Sequence, residues 1–309
     1  MNARHVVVGA GPVGLATARE LAAQGHEVVL VSRSGRGPEV QGAERVAADV
    51  SDGARLSELA EGATAIYNCV NPPSYDVWPT FWPPVAGAFL QAAEASGAVL
   101  AVAGTLYPYG PVDAPMVEGL PDAATGVKAR LRADMWAEAK RLHDEGRIRM
   151  VEVRGSDYMG PGVTNAHLPH VATRALAGKS VRVFGSADQP HSWTDVRDMG
   201  RALVAVAAEP SACGRIWHAP TNEPRTQAEA VADVCRAVGR EPVAVRAYPR
   251  ALLSVGGAVV ALLREMRETV YQFERPYVLD SSAIESELGL KPTPWDEVCR
   301  ATAVGALDA

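Results

Sequence analysis

RHVVVGAGPVGLATARELAAQGHEVVLVSR, residues 4–33, decides the fold. Val6 to Val8 read as a short β-branched strand. Gly9, Gly11 and Gly14 follow at the spacing G-x-G-x-x-G, with Pro12 and Val13 inside it. Leu15 to Gln24 is Ala/Leu-rich and reads as a helix, with Gly25 suited to its C-terminal cap. Val28 to Val31 read as a second buried strand. Strand, glycine turn, helix and strand form a βαβ unit, the context in which this spacing binds a dinucleotide. Gly9 allows the tight turn, Gly11 lets the backbone approach a pyrophosphate, and Gly14 lets helix and strand pack closely. The helix N-terminus then offers free N–H groups and positive potential to the phosphates.

The end of the second strand selects the cofactor. An NAD site usually carries an acid there for the ribose 2′-hydroxyl. This chain has Ser32, Arg33, Ser34 and Arg36 instead. Two guanidiniums and two hydroxyls suit a 2′-phosphate, so NADP(H) is expected, with NAD(H) as the alternative. The competing reading is that Arg33 and Arg36 are ordinary loop charges.

Downstream, Ala47 to Val50 read as a third strand ending in an acid. Ala65 to Val70 read as a fourth, running into Asn71, and Val99 to Ala103 as a fifth, running into GTLYPYGP. Helices are predicted over Ser51–Glu61 and Val85–Ser96. This alternation implies an α/β fold, a doubly wound parallel sheet. Ligands bind at the carboxyl ends of such strands, which places these loops at the site.

The totals narrow the function classes. The chain has 309 residues and a formal net charge of −6, which argues against nucleic acid or an anionic membrane as partner. Its four cysteines form no CxxC pair, which reads as reduced thiols in a cytoplasmic protein. The N-terminus runs straight into the first strand, so no secretory leader is expected. ALLSVGGAVVALL, 251–263, is 13 residues of mostly apolar chain. A membrane span needs about 20, so a buried or lid helix is expected there.

Several stretches together resemble the extended short-chain dehydrogenase/reductase family, the NAD-dependent epimerase/dehydratase group. They are the glycine turn; Asp49-Val50, which matches the pair flanking adenine; and GTLYPYG, 104–110, where Thr105 falls on the family's active-site Ser/Thr. RGSDYMGPG, 154–162, HSWTDVRDMGRAL, 191–203, and two C-terminal segments, 216–239 and 279–294, complete the set. The resemblance covers nearly the whole chain. It implies a Rossmann domain at 1–160, rejoined by about 191–220, and a smaller, mostly helical substrate region at 161–190 and 221–309. It also implies a small-molecule substrate and a homodimer.

One departure stands out. The family carries Tyr-x-x-x-Lys on the helix after the Ser/Thr loop. Here TGVKARLRAD, 125–134, puts Lys128 and Arg132 at those positions, which makes the chain similar to the atypical members. Helical geometry sets Lys128 and Arg132 on the stripe facing the sheet, with Leu131, Met135, Ala139 and Leu142, and puts Arg130 on the solvated face. Inward cations need a reason, because burying an unpaired charge is costly. In the functional reading Arg132 serves the ribose or nicotinamide side, and Lys128 acts as general acid or electrostatic clamp on a carbonyl oxygen. Thr105 would hydrogen-bond the same oxygen, and Tyr107 is an alternative proton donor. In the structural reading Lys128 snorkels to solvent and Arg132 caps a strand end.

Other candidates are weaker. Tyr75, Trp78, Phe81 and Trp82 form an aromatic cluster in the predicted loop after the fourth strand, either substrate wall or packing. Tyr158 and Trp193 border the substrate pocket by resemblance. Cys69 reads as a small buried hydrophobe, and His167 and His170 lack a third ligand, so no metal is expected. The expected function is an NADP-dependent oxidoreductase moving a hydride at a carbonyl or alcohol carbon. The alternatives are an epimerase or dehydratase that recycles its nicotinamide, and a non-catalytic NADP(H) sensor.

Overall fold

The computed structural model describes residues 2–72, 74–164, 166–249 and 268–307. The apolar run at 251–263 lies outside the described residues. A seven-stranded parallel sheet forms the centre, in the order β10-β6-β5-β4-β1-β2-β3. Its strands are β1 (Arg4–Val8), β2 (Glu27–Ser32), β3 (Ala43–Ala47), β4 (Ala65–Asn68), β5 (Val99–Thr105), β6 (Arg149–Gly155) and β10 (Ile216–His218). The direction of winding reverses between β1 and β4. That switch point opens a crevice at the carboxyl ends of the strands.

Helices cover both faces. On one side α2 (Gly53–Ala60), α3 (Trp78–Ser96) and α4 (Val127–Asp144) bury Leu56, Trp82, Phe89 and Leu142 against Ile66, Leu100 and Met150. On the other, α1 (Pro12–Ala23) and α6 (Val196–Ala208) bury Leu21, Met199 and Leu203 against Val7, Tyr67 and Val153. A third core joins α5 (His167–Leu176), α7 (Gln227–Arg236) and α10 (Trp295–Leu307) through Leu168, Val231, Val298 and Phe273. Beside it lie two short parallel pairs, β7 (Asp157–Met159) with β9 (Trp193–Asp195), and β8 (Val181–Val183) with β11 (Val245–Ala247). The one-turn α8 (Tyr271–Glu274) and α9 (Ser282–Leu288) precede α10.

Three local expectations are corrected. The third strand is Ala43–Ala47, not Ala47–Val50. It pairs with β2 as a sheet edge, so Glu44 and Arg45 stay exposed and its apolar pattern is faint. The fourth strand stops at Asn68, not Val70, because Asn68 Oδ1 accepts the Val70 N–H at 3.2 Å and turns the chain. The third helix starts at Trp78 and runs through Pro83 and Pro84, where a loop was expected up to Pro84. Trp78, Trp82, Val85 and Phe89 share one buried stripe, and burying them outweighs the lost proline hydrogen bonds.

Candidate active site

The glycine turn has the shape a pyrophosphate requires. Gly9 has φ 108°, and a Cβ there would lie 2.6 Å from the Cys69 carbonyl oxygen. A Cβ on Gly14 would collide with the Gly9 carbonyl oxygen. A Cβ on Gly11 would meet nothing within 4 Å, so this face of the turn is open. Gly11 is also the N-cap of α1 and supplies no side-chain cap, and Pro12 occupies the first turn. The Val13 and Gly14 N–H groups therefore stand free at a positive helix end. Close packing behind the turn and open space before it fit a dinucleotide.

Past β2, Ser32 Oγ donates to the Arg36 carbonyl at 3.3 Å, and the Arg36 N–H to Ser34 Oγ at 3.2 Å. The turn is thus fixed by its hydroxyls. Arg33 and Arg36 are exposed, and among the described residues neither guanidinium makes a hydrogen bond. Asp49 Oδ1 accepts from the Ser51 N–H at 2.9 Å and from its hydroxyl at 2.7 Å. These two bonds hold the Asp49 carboxyl below its usual range, with Arg33 adding to the effect. Val50 is buried, Val70 packs on the edge of the core, and Asn71 is exposed.

Past the ends of β4 and β5, Tyr75, Tyr107 and Lys128 come together, and Thr105 and Arg132 share a cavity. Thr105 ends β5, and its buried Oγ1 has no hydrogen-bond partner. Tyr107 OH lies 2.8 Å from Tyr75 OH. Lys128 Nζ sits over the Tyr75 ring, 5.1 Å from its centroid. Burial raises the Tyr75 hydroxyl above its ordinary value. It raises Tyr107 well above, with the charges of Tyr75 and Asp157 adding.

Lys128 and Arg132 are buried and Arg130 is exposed, as the helical spacing predicts. Their partners differ. Glu268 Oε2 accepts from the Lys128 N–H at 3.3 Å and from Nζ at 3.4 Å. Arg132 lies over the Trp82 ring at 4.3 Å and that of Trp78 at 5.5 Å, and Nη2 donates to the Ala103 carbonyl at 3.3 Å. Its Nε is unpartnered. Arg132 and Thr105 line one small cavity with Asn68 and Glu152. Trp78 and Trp82 are therefore packing for a guanidinium, while Tyr75 faces the cleft group.

Behind this group is a buried ionic network. Arg154, wholly buried, donates Nε to Glu152 Oε1 at 2.7 Å and its two terminal nitrogens to the Asp122 carboxylate at 2.7 and 3.1 Å. It stacks on Tyr109, whose hydroxyl contacts His218 Nε2 at 2.9 Å. Gly104 makes room for Glu152: a Cβ there would lie 2.7 Å from Glu152 Oε1.

Tyr158 is partly buried, and burial raises its hydroxyl above the ordinary value. Trp193 is core: it is buried, and its indole N–H donates to the Arg225 carbonyl at 2.9 Å. Cys69 is buried, its thiol pushed up to about 12 by burial, and all four cysteines are free. His167 Nε2 is taken by Gln227 Oε1 at 2.6 Å. Among the described residues no group of three His, Cys, Asp or Glu side chains could hold a metal, and no helix is long and apolar enough to cross a membrane. Sequence reasoning missed Glu268, Asp157 and His191. Glu268 is 140 residues from Lys128 and gives no local signal. Asp157 and His191 stand inside quoted motifs, but their pairing at 2.8 Å is legible only in space.

Residues 5–218 match the NAD dependent epimerase/dehydratase family. The chain belongs to that family. Its fold is similar to UDP-glucose 4-epimerase from Brucella ovis in complex with NAD, at TM-score 0.79 and 20% identity, covering 99% of both chains. It is also similar to dTDP-glucose 4,6-dehydratase from Bacillus anthracis in complex with NAD, at TM-score 0.78 and 15% identity, covering 98% of this chain and 96% of that one. In sequence, 131 residues are 27% identical to a dTDP-glucose 4,6-dehydratase of Shigella flexneri, spanning 40% of this chain and 31% of that protein.

Proposed function

We propose that this family member is an NADP-dependent oxidoreductase acting on a small molecule in the cytoplasm. The bound nicotinamide would supply or accept a hydride at a carbonyl or alcohol carbon. The Gly9–Gly14 turn holds the pyrophosphate, Asp49 and Val50 flank the adenine, and the free guanidiniums of Arg33 and Arg36 take the 2′-phosphate. Thr105 Oγ1 and Tyr107 OH hydrogen-bond the substrate oxygen, and Lys128 stabilises negative charge on it. Residues 161–190 and 221–309 supply the substrate side, and the expected assembly is a homodimer. The observation that carries the reading is the Tyr107 hydroxyl against the Tyr75 hydroxyl with the Lys128 ammonium over the Tyr75 ring, together with the open face of the glycine turn. Arg132 backs this group through Trp78, whose ring meets those of Tyr75 and Tyr107.

Two other readings have support. Family membership and the relatives' names favour an epimerase or dehydratase with internally recycled nicotinamide. The Lys128–Glu268 pair, at the position where the family has tyrosine, favours an NADP(H) sensor without turnover. Calorimetric titration with NADPH and NADH, followed by turnover of Lys128→Ala, separates them. The oxidoreductase binds NADPH more tightly and loses turnover in the variant. An epimerase turns over with no net change in nicotinamide. A sensor binds NADPH and shows no turnover in either form.

A further inference from the structure

Arg132 stands at the family's lysine position on α4, yet its contacts are with the protein's own interior. The residue is 8% exposed, and its guanidinium lies over the rings of Trp82 and Trp78. Nη2 donates to the Ala103 carbonyl at 3.3 Å. Nε is buried and makes no hydrogen bond among the described residues. Thr105 Oγ1, at the end of β5, is in the same condition. Both residues line one cavity, which can give the two atoms a common partner.

The cavity offers about 30 Å³, where about 10–15 Å³ suffices for one water. Phe89, Leu100, Met135 and Met150 form much of its wall, and Asn68 and Glu152 are its other polar residues. Asn68 Oδ1 takes the Val70 N–H, and Glu152 Oε1 takes Arg154 Nε. The Asn68 amide nitrogen and Glu152 Oε2 make no hydrogen bond among the described residues. Charge decides what kind of molecule fits. Arg132 and Arg154 are balanced by Glu152 and Asp122, so an entering ion would be a buried charge without a counter-charge. A neutral molecule that both donates and accepts is left, and the volume limits it to water.

We propose that this cavity holds ordered water, one molecule or two, bridging Arg132 Nε to Thr105 Oγ1, which makes Arg132 a positioning residue for Thr105 and not a ligand of the nucleotide. Nε can only donate, so the water oxygen takes its hydrogen. The hydrogens of the water then go to Thr105 Oγ1 and Glu152 Oε2. Thr105 keeps its own hydrogen for a further acceptor, which in the oxidoreductase reading above is the substrate oxygen. Only that last use rests on the reading; the water site does not.

The test is a set of crystal structures that resolve waters, with calorimetric titration of the same proteins by NADPH. The unaltered protein should show water linking Arg132 Nε to Thr105 Oγ1 through contacts of about 2.7–3.2 Å. Arg132→Met keeps an apolar chain on the tryptophans and removes the donor. It should lose the bridge and show Thr105 in a changed or split rotamer, with NADPH affinity altered less than about threefold. Arg132→Lys restores a donor and should bring back both water and rotamer. Should Arg132→Met not fold, Thr105→Val removes the other end of the bridge and should lose the same water. A dry cavity in the unaltered protein, an unmoved Thr105 in Arg132→Met, no recovery in Arg132→Lys, water kept in Thr105→Val, or a larger loss of NADPH affinity in Arg132→Met overturns the proposal. If NADPH binds none of the proteins, the oxidoreductase reading falls, and the water density and the Thr105 rotamer still decide the bridge.

Discussion

Glu268 holds Lys128 twice, at its backbone N–H and at its ammonium, across 140 residues of chain. The N-cap of α4 is Gly126, which offers no side chain, so a carboxylate from the far end of the sequence caps the helix. One contact therefore orients a catalytic candidate and fastens the C-terminal segment to the sheet domain. Glu268→Ala should lower stability by about 1–2 kcal/mol in urea unfolding, since a cap is lost and a buried ammonium loses one carboxylate contact. An unchanged midpoint would show that the pair contributes nothing.

The glycines of the nucleotide turn should separate by role. Gly11→Ala puts its Cβ in open space and should leave the urea midpoint within about 0.5 kcal/mol. It should weaken NADPH binding about tenfold or more, because the methyl stands where phosphate approaches. Gly14→Ala collides with the Gly9 carbonyl and should fail to fold stably. Calorimetry and denaturation on the two proteins read both effects.

Arg33 gives a cofactor prediction. Its guanidinium is exposed and makes no hydrogen bond among the described residues. Arg33→Ala should weaken NADPH by about tenfold and change NADH less than about twofold. Equal losses for both cofactors would assign Arg33 to something other than the 2′-phosphate.

Acid should destabilise the fold through His218. Burial lowers this imidazole from 6.5 to about 4, and its Nδ1 faces the Asp280 carbonyl at 2.8 Å. Between those values the unfolded chain binds a proton that the native ring refuses. Stability is therefore fully present above pH 6.5 and falls as pH drops toward 4, by up to about 3 kcal/mol from this ring. His5, also lowered by burial to about 4, acts in the same direction. His218→Gln should show a shallower loss between pH 7 and 5 in urea titrations.

The sequence made the sheet legible where periodicity is strong. β1, α1 and β2 are short, apolar and punctuated by glycine, so residues 4–33 reveal both the fold and the nucleotide turn. β3 was harder, because an edge strand exposes its charges. The start of α3 was hidden by Pro83 and Pro84, which local rules read as loop while three buried aromatics decide for helix. The inward face of α4 followed from spacing alone. Its partners did not: the carboxylate on Lys128 and the tryptophans under Arg132 come from other elements, and no local pattern names them. For the same reason Asp157 and His191 each looked ordinary until β7 and β9 paired.

Gly104 and Glu152 tie two neighbouring strands together. The carboxylate that braces Arg154 occupies the space a side chain at 104 would need. A side chain at 104 therefore acts directly on the placement of Glu152. A chain of this type that gains even a methyl at 104 must displace the Glu152 side chain, and the Arg154 guanidinium then loses the brace it has here. The loop carrying Thr105 thus inherits its backbone from a charge balance one strand away, and grafting that loop onto another scaffold would require moving Glu152, Arg154 and Asp122 with it.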